Sequence, residues 1–233
     1  MVVTGHTCDV WWATLSDVRP EHTALLNPIE HGRRERYVRA ADRDRFTLGV
    51  AMTRLALGPL VGLPPAEVPL TRSCRDCGEP HGPPAIAGGP HVSVSHSGDR
   101  VAVALSAYGP VGIDVEECSR QLDRAIERLV LAPAEAAATD APAGGDSGIF
   151  TYWTRKEALI KATGDGLRAP MTEITVSPPD EPPRLLAWSG RDDLVGRITM
   201  YSLDPGPGYA ACLALIDQPD AEVREHTAAE LLH

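Results

Sequence analysis

Val111-Gly112-Ile113-Asp114-Val115-Glu116 is the stretch on which the reading of this 233-residue chain turns. Val111, Ile113 and Val115 alternate with Gly112, Asp114 and Glu116. A period of two predicts a strand with the apolar side chains on one face and both acids on the other. At about 3.3 Å of rise per residue, the two acidic Cα atoms lie roughly 6.6 Å apart on that face. Side chains that close can converge on one cation, and Mg²⁺ is typically held by one or two carboxylates together with substrate phosphates. Two surface acids on an edge strand would produce the same alternation.

Downstream, Phe150-Thr-Tyr-Trp-Thr-Arg-Lys-Glu-Ala-Leu-Ile-Lys-Ala-Thr-Gly164 predicts a helix of good helix formers, stopped by its glycine. Trp153, Glu157 and Lys161 follow i, i+4, i+8 and share one side of it. Glu157 would add a third carboxylate, and Lys161, one turn on, would aim an ammonium at an anion held by the metal. The plainer reading of the last two is an ordinary helix pair worth about 0.2–0.5 kcal/mol. Taken with the strand acids, they compose a site for metal-assisted chemistry at a phosphate. Trp153 reads as core.

Working outward, the first half opens with a strand at 8–15 and a helical stretch over 28–60. A Gly/Pro/Cys-rich loop follows over 62–90, then a hairpin of 91–95 and 101–105 across Gly98-Asp99. Trp11 and Trp12 anchor the first strand. After the acid-bearing strand come helices near 119–131 and 134–139, a loop at 141–148 and the Glu157 helix. Strands follow near 174–176, 185–188, 198–203 and 209–216. Each half thus reads as helices followed by a strand pair. The expected fold is α+β: two similar α/β subdomains, 1–108 and 109–233, related by a pseudo-twofold with the active site at their interface.

The hydrophobic fraction of 43% is ordinary for a globular protein, and a net charge of −10 argues against a general nucleic-acid binder. No apolar run approaches a membrane span and no basic-then-apolar leader opens the chain, so a cytoplasmic enzyme is expected. Arg33, Arg34, Arg36, Arg39, Arg43 and Arg45 crowd together. They read as a solvated face partly paired with Glu35, Asp42 and Asp44, with one or two free to hold phosphate. Among five cysteines, Cys74 and Cys77, followed by His81, hint at zinc, but no second close pair completes four ligands. An exposed loop with free thiols is the alternative.

These residues resemble the phosphopantetheinyl transferase superfamily, in its larger Sfp-like type. The matching motifs are Gly112-Ile-Asp-Val-Glu116, then Trp153-Thr-Arg-Lys-Glu-Ala-Leu-Ile-Lys161 with Gly164-Asp-Gly-Leu167, and Val94-Ser-His-Ser-Gly98. The Asp42-Arg-Asp-Arg45 region fits as well. The resemblance implies transfer of the 4′-phosphopantetheine arm of coenzyme A to a serine of an apo acyl or peptidyl carrier protein, releasing adenosine 3′,5′-bisphosphate. Such reactions serve polyketide and nonribosomal peptide biosynthesis as well as fatty-acid carriers. By that likeness Asp114, Glu116 and Glu157 hold Mg²⁺ (or Mn²⁺), and Glu157 or a metal-held water takes the serine proton. Lys161 supports the pyrophosphate or leaving group. Ser95 and His96 contact the 3′-phosphate region, and Arg45 and Arg33 the nucleotide end. Lys156 matches the motif and reads equally as a solvated lysine.

One departure stands out. The family often has Gly-Lys-Pro where this chain reads Gly82-Pro83-Pro84, leaving Arg72, Arg75 or His81 to substitute for the lysine. Leu122, Ala125, Ile126, Leu129 and Val130 follow helical spacing and read as core, with a docking face for the carrier's helix as the alternative. A monomer is expected. Two other functions fit the residues: a metal-dependent nucleotide pyrophosphate hydrolase, and a non-catalytic zinc-loop module on Cys74 and Cys77.

Overall fold

The computed structural model describes residues 6–74, 76–80, 82–118, 124–139 and 145–232. The strands are β1 (Thr7–Thr14), β2 (His91–Ser97), β3 (Arg100–Ser106), β4 (Val111–Glu117), β5 (Ile174–Val176), β6 (Leu185–Trp188), β7 (Ile198–Ser202), β8 (Tyr209–Ile216) and β9 (Glu222–Thr227). The α-helices are α1 (Pro28–Glu35), α2 (Ala40–Val61), α3 (Arg124–Val130), α4 (Pro133–Thr139), α5 (Gly145–Thr163) and α6 (Ala229–Leu232). The fold is α+β, and the chain forms two compact units: Met1–Tyr108 with Ala221–His233, and Gly109–Asp220.

The first unit is built on a four-stranded sheet in the order β2-β3-β1-β9. β2 and β3 form the expected hairpin, with Ser95 opposite Ala102 and His96 opposite Val101. α2 covers the sheet, and Leu48, Met52 and Leu57 bury against Val101, Val103 and Leu105. The helix ends where Gly62 turns left-handed at φ 69° and returns its N–H to Gly58 O. α1 begins with a capping box: Glu30 N–H donates to Asn27 Oδ1 at 2.9 Å, and Asn27 N–H donates to Glu30 Oε2 at 2.8 Å. Glu30 also receives Arg54 Nη2 at 2.9 Å, and Arg54 Nη1 reaches Val68 O at 2.7 Å. This buried pair ties α1 to α2.

The sequence reading assigned everything after residue 108 to one subdomain, and the structure corrects it. β9 pairs in parallel with β1, from Thr7 opposite Glu222 to Trp12 opposite Thr227. Trp12 Nε1 donates to Glu225 Oε2 at 2.7 Å, and Ala228 N–H donates to Trp12 O at 2.7 Å. Glu222-Val-Arg-Glu-His-Thr227 is a half-exposed edge strand dominated by polar residues, so it lacks the apolar alternation by which strands are found.

The second unit carries the sheet β4-β8-β7 and the small β5-β6 hairpin. β7 and β8 are the expected antiparallel pair across the 203–208 turn. α5 lies on the β4-β8 surface. Phe150, Leu159 and Ile160 pack there with Cys212, Ala214 and Ile216, and Trp153 joins them half-buried, as expected of core. Of the predicted apolar stripe near 122–130, Val130 is buried and Ile126 packs on the core, but Leu129 is 70% exposed, contrary to a core role. Leu122 and the Ala125 side chain lie outside the described residues.

Candidate active site

Gly112 brings helix and strand together. A Cβ on it would sit 2.0 Å from Ala158 O and 2.4 Å from Ala162 N, both in α5. Only a glycine allows the helix backbone this close to the strand. Gly112, Asp114 and Glu116 share the β4 face, and that face is the one α5 covers. In antiparallel register Asp114 stands opposite Cys212 and Gly112 opposite Ala214, two residues of the core beneath the helix. Val111, Ile113 and Val115, on the other face, are buried as well. β4 stands at the edge of its sheet, yet its acidic centre is buried on both faces, so Asp114 is not a wet surface acid.

The close approach lowers Glu157 and Lys161 onto the strand acids. Lys161 Nζ donates to Asp114 Oδ1 at 2.7 Å and to Ile113 O at 3.0 Å. Asp114 is only 3% exposed, so it is the dry partner, while Lys161 keeps more of its side chain in water. Glu157 is half-buried beside them. Burial first, then the Asp114 carboxylate, raises its carboxyl above the ordinary range; Lys161 opposes the rise and Glu116 adds to it. The three acids predicted as metal ligands thus share one electrostatic neighbourhood with the lysine. As the side chains stand, no group of three or more His, Cys, Asp or Glu among the described residues closes round a metal position. The Lys161 ammonium is the cation that Asp114 holds here.

A hard divalent cation suits this donor set. It is all carboxylate oxygen and partly desolvated, and burial first, then the Asp114 charge, already raises the Glu157 carboxyl.

The sequence reading treated Lys156 as a motif lysine or a solvated one. It is neither exposed nor near water: its side chain is fully buried. It donates to Glu135, to Val130 O at 2.7 Å and to Met171 O at 3.1 Å. Glu135 in turn accepts Ala132 N–H at 2.8 Å and Val176 N–H at 2.8 Å. Arg155 is likewise buried and structural, donating to Ser177 O at 2.6 Å and to Pro178 O and Glu181 O at 2.7 Å each. The helix that carries Glu157 is pinned by the two cations preceding it in sequence. Helical spacing from Tyr152 to Lys156 to Leu159 and Ile160 places Lys156 on the apolar stripe, the signal that separates it from a surface lysine.

The remaining predicted residues lie in the first unit. Arg45 Nε donates to Gly98 O in the β2-β3 turn and Nη1 to Asp42 Oδ1, both at 2.6 Å. Ser95 is buried and His96 exposed on β2, just before that turn. Arg33 lies over the Phe46 ring at 5.3 Å and reaches Pro80 O at 3.4 Å. Arg34 is committed to Thr47 Oγ1 at 2.9 Å and Glu35 at 3.5 Å, so the paired-face reading of the arginine cluster holds at Arg34 and Arg45.

Arg72 stands apart from them. Burial, and secondarily Arg33, pulls it down to about 10. Its Nε is buried, with no hydrogen-bond partner among the described residues. Gly82 N–H donates to Arg72 O at 2.7 Å, and a Cβ on Gly82 would meet Ser73 O at 2.3 Å, so a glycine is required at 82, next to Pro83. Arg75 and His81 lie outside the described residues.

Residues 110–212 match the family model described as "4'-phosphopantetheinyl transferase superfamily". The chain is 33% identical to the 4'-phosphopantetheinyl transferase HetI of Nostoc over 71% of its own length and 72% of that protein's. It is 30% identical to the transferase psf-1 of Bacillus pumilus over 76% and 74% of the two lengths. The chain belongs to the 4'-phosphopantetheinyl transferase superfamily. It is an enzyme of that class, a 4'-phosphopantetheinyl transferase. A solved holo-[acyl-carrier-protein] synthase of Thermotoga maritima aligns over 47% of this chain and 63% of its own, with 22% identity and a TM-score of 0.40. The segment matched by the transferase family model contains β4 and α5, and with them Asp114, Glu116, Glu157 and Lys161.

Proposed function

We propose that this transferase moves 4′-phosphopantetheine from coenzyme A to a serine of an apo acyl or peptidyl carrier protein, with Mg²⁺ as the metal and adenosine 3′,5′-bisphosphate as the released product. The observation that carries this reading is the Asp114–Lys161 pair, held at 2.7 Å where α5 lies on β4, with the raised Glu157 beside it. Asp114, Glu116 and Glu157 would hold Mg²⁺ or Mn²⁺. The bound ion would neutralise the pyrophosphate and stabilise the departing bisphosphate.

Phosphoryl transfer asks the protein for position and charge compensation more than covalent help. Asp114, dry and fixed on a buried strand, offers a carboxylate that does not wander. Lys161, hydrogen-bonded through its ammonium and partly exposed, would swing from Asp114 toward a diphosphate oxygen. Glu157, raised by burial and like charge, is a better proton acceptor than an ordinary carboxylate and would take the serine hydroxyl proton. At the coenzyme's nucleotide end, Ser95, His96, Arg45 and Arg33 would meet the 3′-phosphate and adenosine. Arg72, unpartnered at Nε and beside Arg33, would supply the charge absent at Pro83.

Mixing the protein with apo carriers of fatty-acid, polyketide and peptide types, coenzyme A and Mg²⁺, then weighing the carriers, tests the proposal. A gain of one phosphopantetheine on at least one carrier is expected, with adenosine 3′,5′-bisphosphate released in equal amount. Coenzyme A consumed equally well without any carrier would instead indicate a pyrophosphate hydrolase.

A further inference from the structure

Thr71 and Ala85 exchange N–H to C=O bonds of 2.9 Å in both directions, closing the base of a loop formed by the described residues between them. Inside it Cys74 and Cys77 stand three residues apart. Cys74 N–H donates to Glu79 O, and Gly78 N–H donates back to Cys74 O, both at 2.9 Å. Gly78 takes a left-handed φ of 74°, which lets the chain reverse immediately after the second cysteine. These two backbone bonds return the chain on itself around Cys77, setting it beside Cys74, and Cys77 contributes to lowering the Cys74 thiol. The N–H groups of Asp76 and Cys77 point at the same sulfur and hold the Cys74 thiol below its ordinary range. Cys77 is exposed and Cys74 partly so. Neither belongs to the transfer chemistry proposed above.

The other thiols make the contrast. Cys8 and Cys212 are buried and pushed up to about 12, chiefly by burial. Cys118 is raised by burial and by Glu116 and Glu117. Only one pair therefore combines mutual contact, access to solvent and a sulfur that favours the thiolate. A disulfide needs Cα atoms within about 4.4–6.8 Å, and a turn of four residues brings its first and last within about 7 Å.

We propose that Cys74 and Cys77 are a redox pair that closes to a disulfide within the loop by exchange with a low-molecular-weight disulfide such as oxidised glutathione. The Cys74 thiolate attacks one sulfur of the external disulfide, forming a mixed disulfide and expelling one thiolate. The Cys77 thiolate then attacks Cys74 Sγ, forming the internal disulfide and expelling the second. Two protein thiols are oxidised, one external disulfide is reduced to two thiols, and the two protons pass to the departing thiolates. The reverse exchange with a dithiol restores the pair.

The full chain, equilibrated with glutathione at stepwise ratios of reduced to oxidised form in the presence of a chelator, then alkylated and weighed, tests this. At oxidising ratios the Cys74 and Cys77 adducts are expected to disappear together, leaving a peptide two hydrogens lighter that links them. Dithiothreitol should return both adducts, and Cys8 and Cys212 should label only after denaturation. Cys77→Ser should convert the internal bridge into a stable glutathione adduct on Cys74. Full alkylation of both thiols at the most oxidising ratio would overturn the proposal, as would a separate glutathione on each.

Discussion

Glu157 carries the sharpest conflict between stability and chemistry. Its carboxyl is raised by burial and by Asp114, so the folded state holds this proton more tightly than the unfolded chain does. The stabilising contribution of the protonated form is complete below the ordinary carboxylate pKa and disappears as pH climbs through the raised one. At neutral pH the charged form is a burden on the fold. Glu157→Gln is therefore expected to melt higher than the parent at pH 7 while its transfer rate falls by roughly 10²–10⁴-fold, the usual worth of an acid–base group. Thermal unfolding and carrier labelling on the same preparations check the pair of outcomes; a lower melting point would contradict the account of the site.

Arg72 supports a second prediction at the same scale. A charge-assisted hydrogen bond is worth about 1.5–3 kcal/mol, so Arg72→Leu should raise KM for coenzyme A by roughly 10–100-fold. KM for dephospho-coenzyme A, which lacks the 3′-phosphate, should stay near the parental value. Equal losses on both substrates would remove Arg72 from the phosphate.

For the elements, the decisive contact is α5 against β4 at Gly112. Gly112→Ala puts a methyl where the helix backbone already is, and neither element can yield without dragging Asp114 or Glu157 with it. Overpacking of this kind costs about 1–3 kcal/mol even against flexible side chains. Against backbone, the upper end or more is expected in denaturant unfolding, with transfer lost in the protein that remains folded. The two elements were legible from alternation on one side and helical spacing on the other. Their contact was not, because one glycine in a seven-residue strand does not reveal which helix approaches it. The burial of Lys156 follows from its place on the apolar stripe of α5, but its partner Glu135, 21 positions earlier, shows only in the folded chain. The Arg54–Glu30 pair depends in the same way on helices that pack together in space.

Across the whole molecule, the division after Tyr108 lies where the change of pattern places it, but the return of Ala221–His233 to the first unit was invisible in a strand of alternating charge. That return has a measurable consequence. Ending the chain at Asp220 would strip β1 of its parallel neighbour, unpairing a row of backbone groups beside Trp11 and Trp12. Amides of β1 are expected to exchange with solvent far faster in the shortened chain, while those of β4 and β8 keep their protection. Equal protection of β1 in both would contradict the role given to β9. Among the described residues no helix is long and apolar enough to cross a membrane.

The same parallel strand sets an order of events during synthesis. Residues 109–220 are contiguous, so their unit has all its parts once they clear the ribosome. The sheet of Thr7–Thr14, begun first, must wait for residues 222–227 before its open flank is covered. Through that interval a segment made before the second unit is finished after it, and the nascent chain carries an uncapped β edge that invites a chaperone or a neighbouring polypeptide.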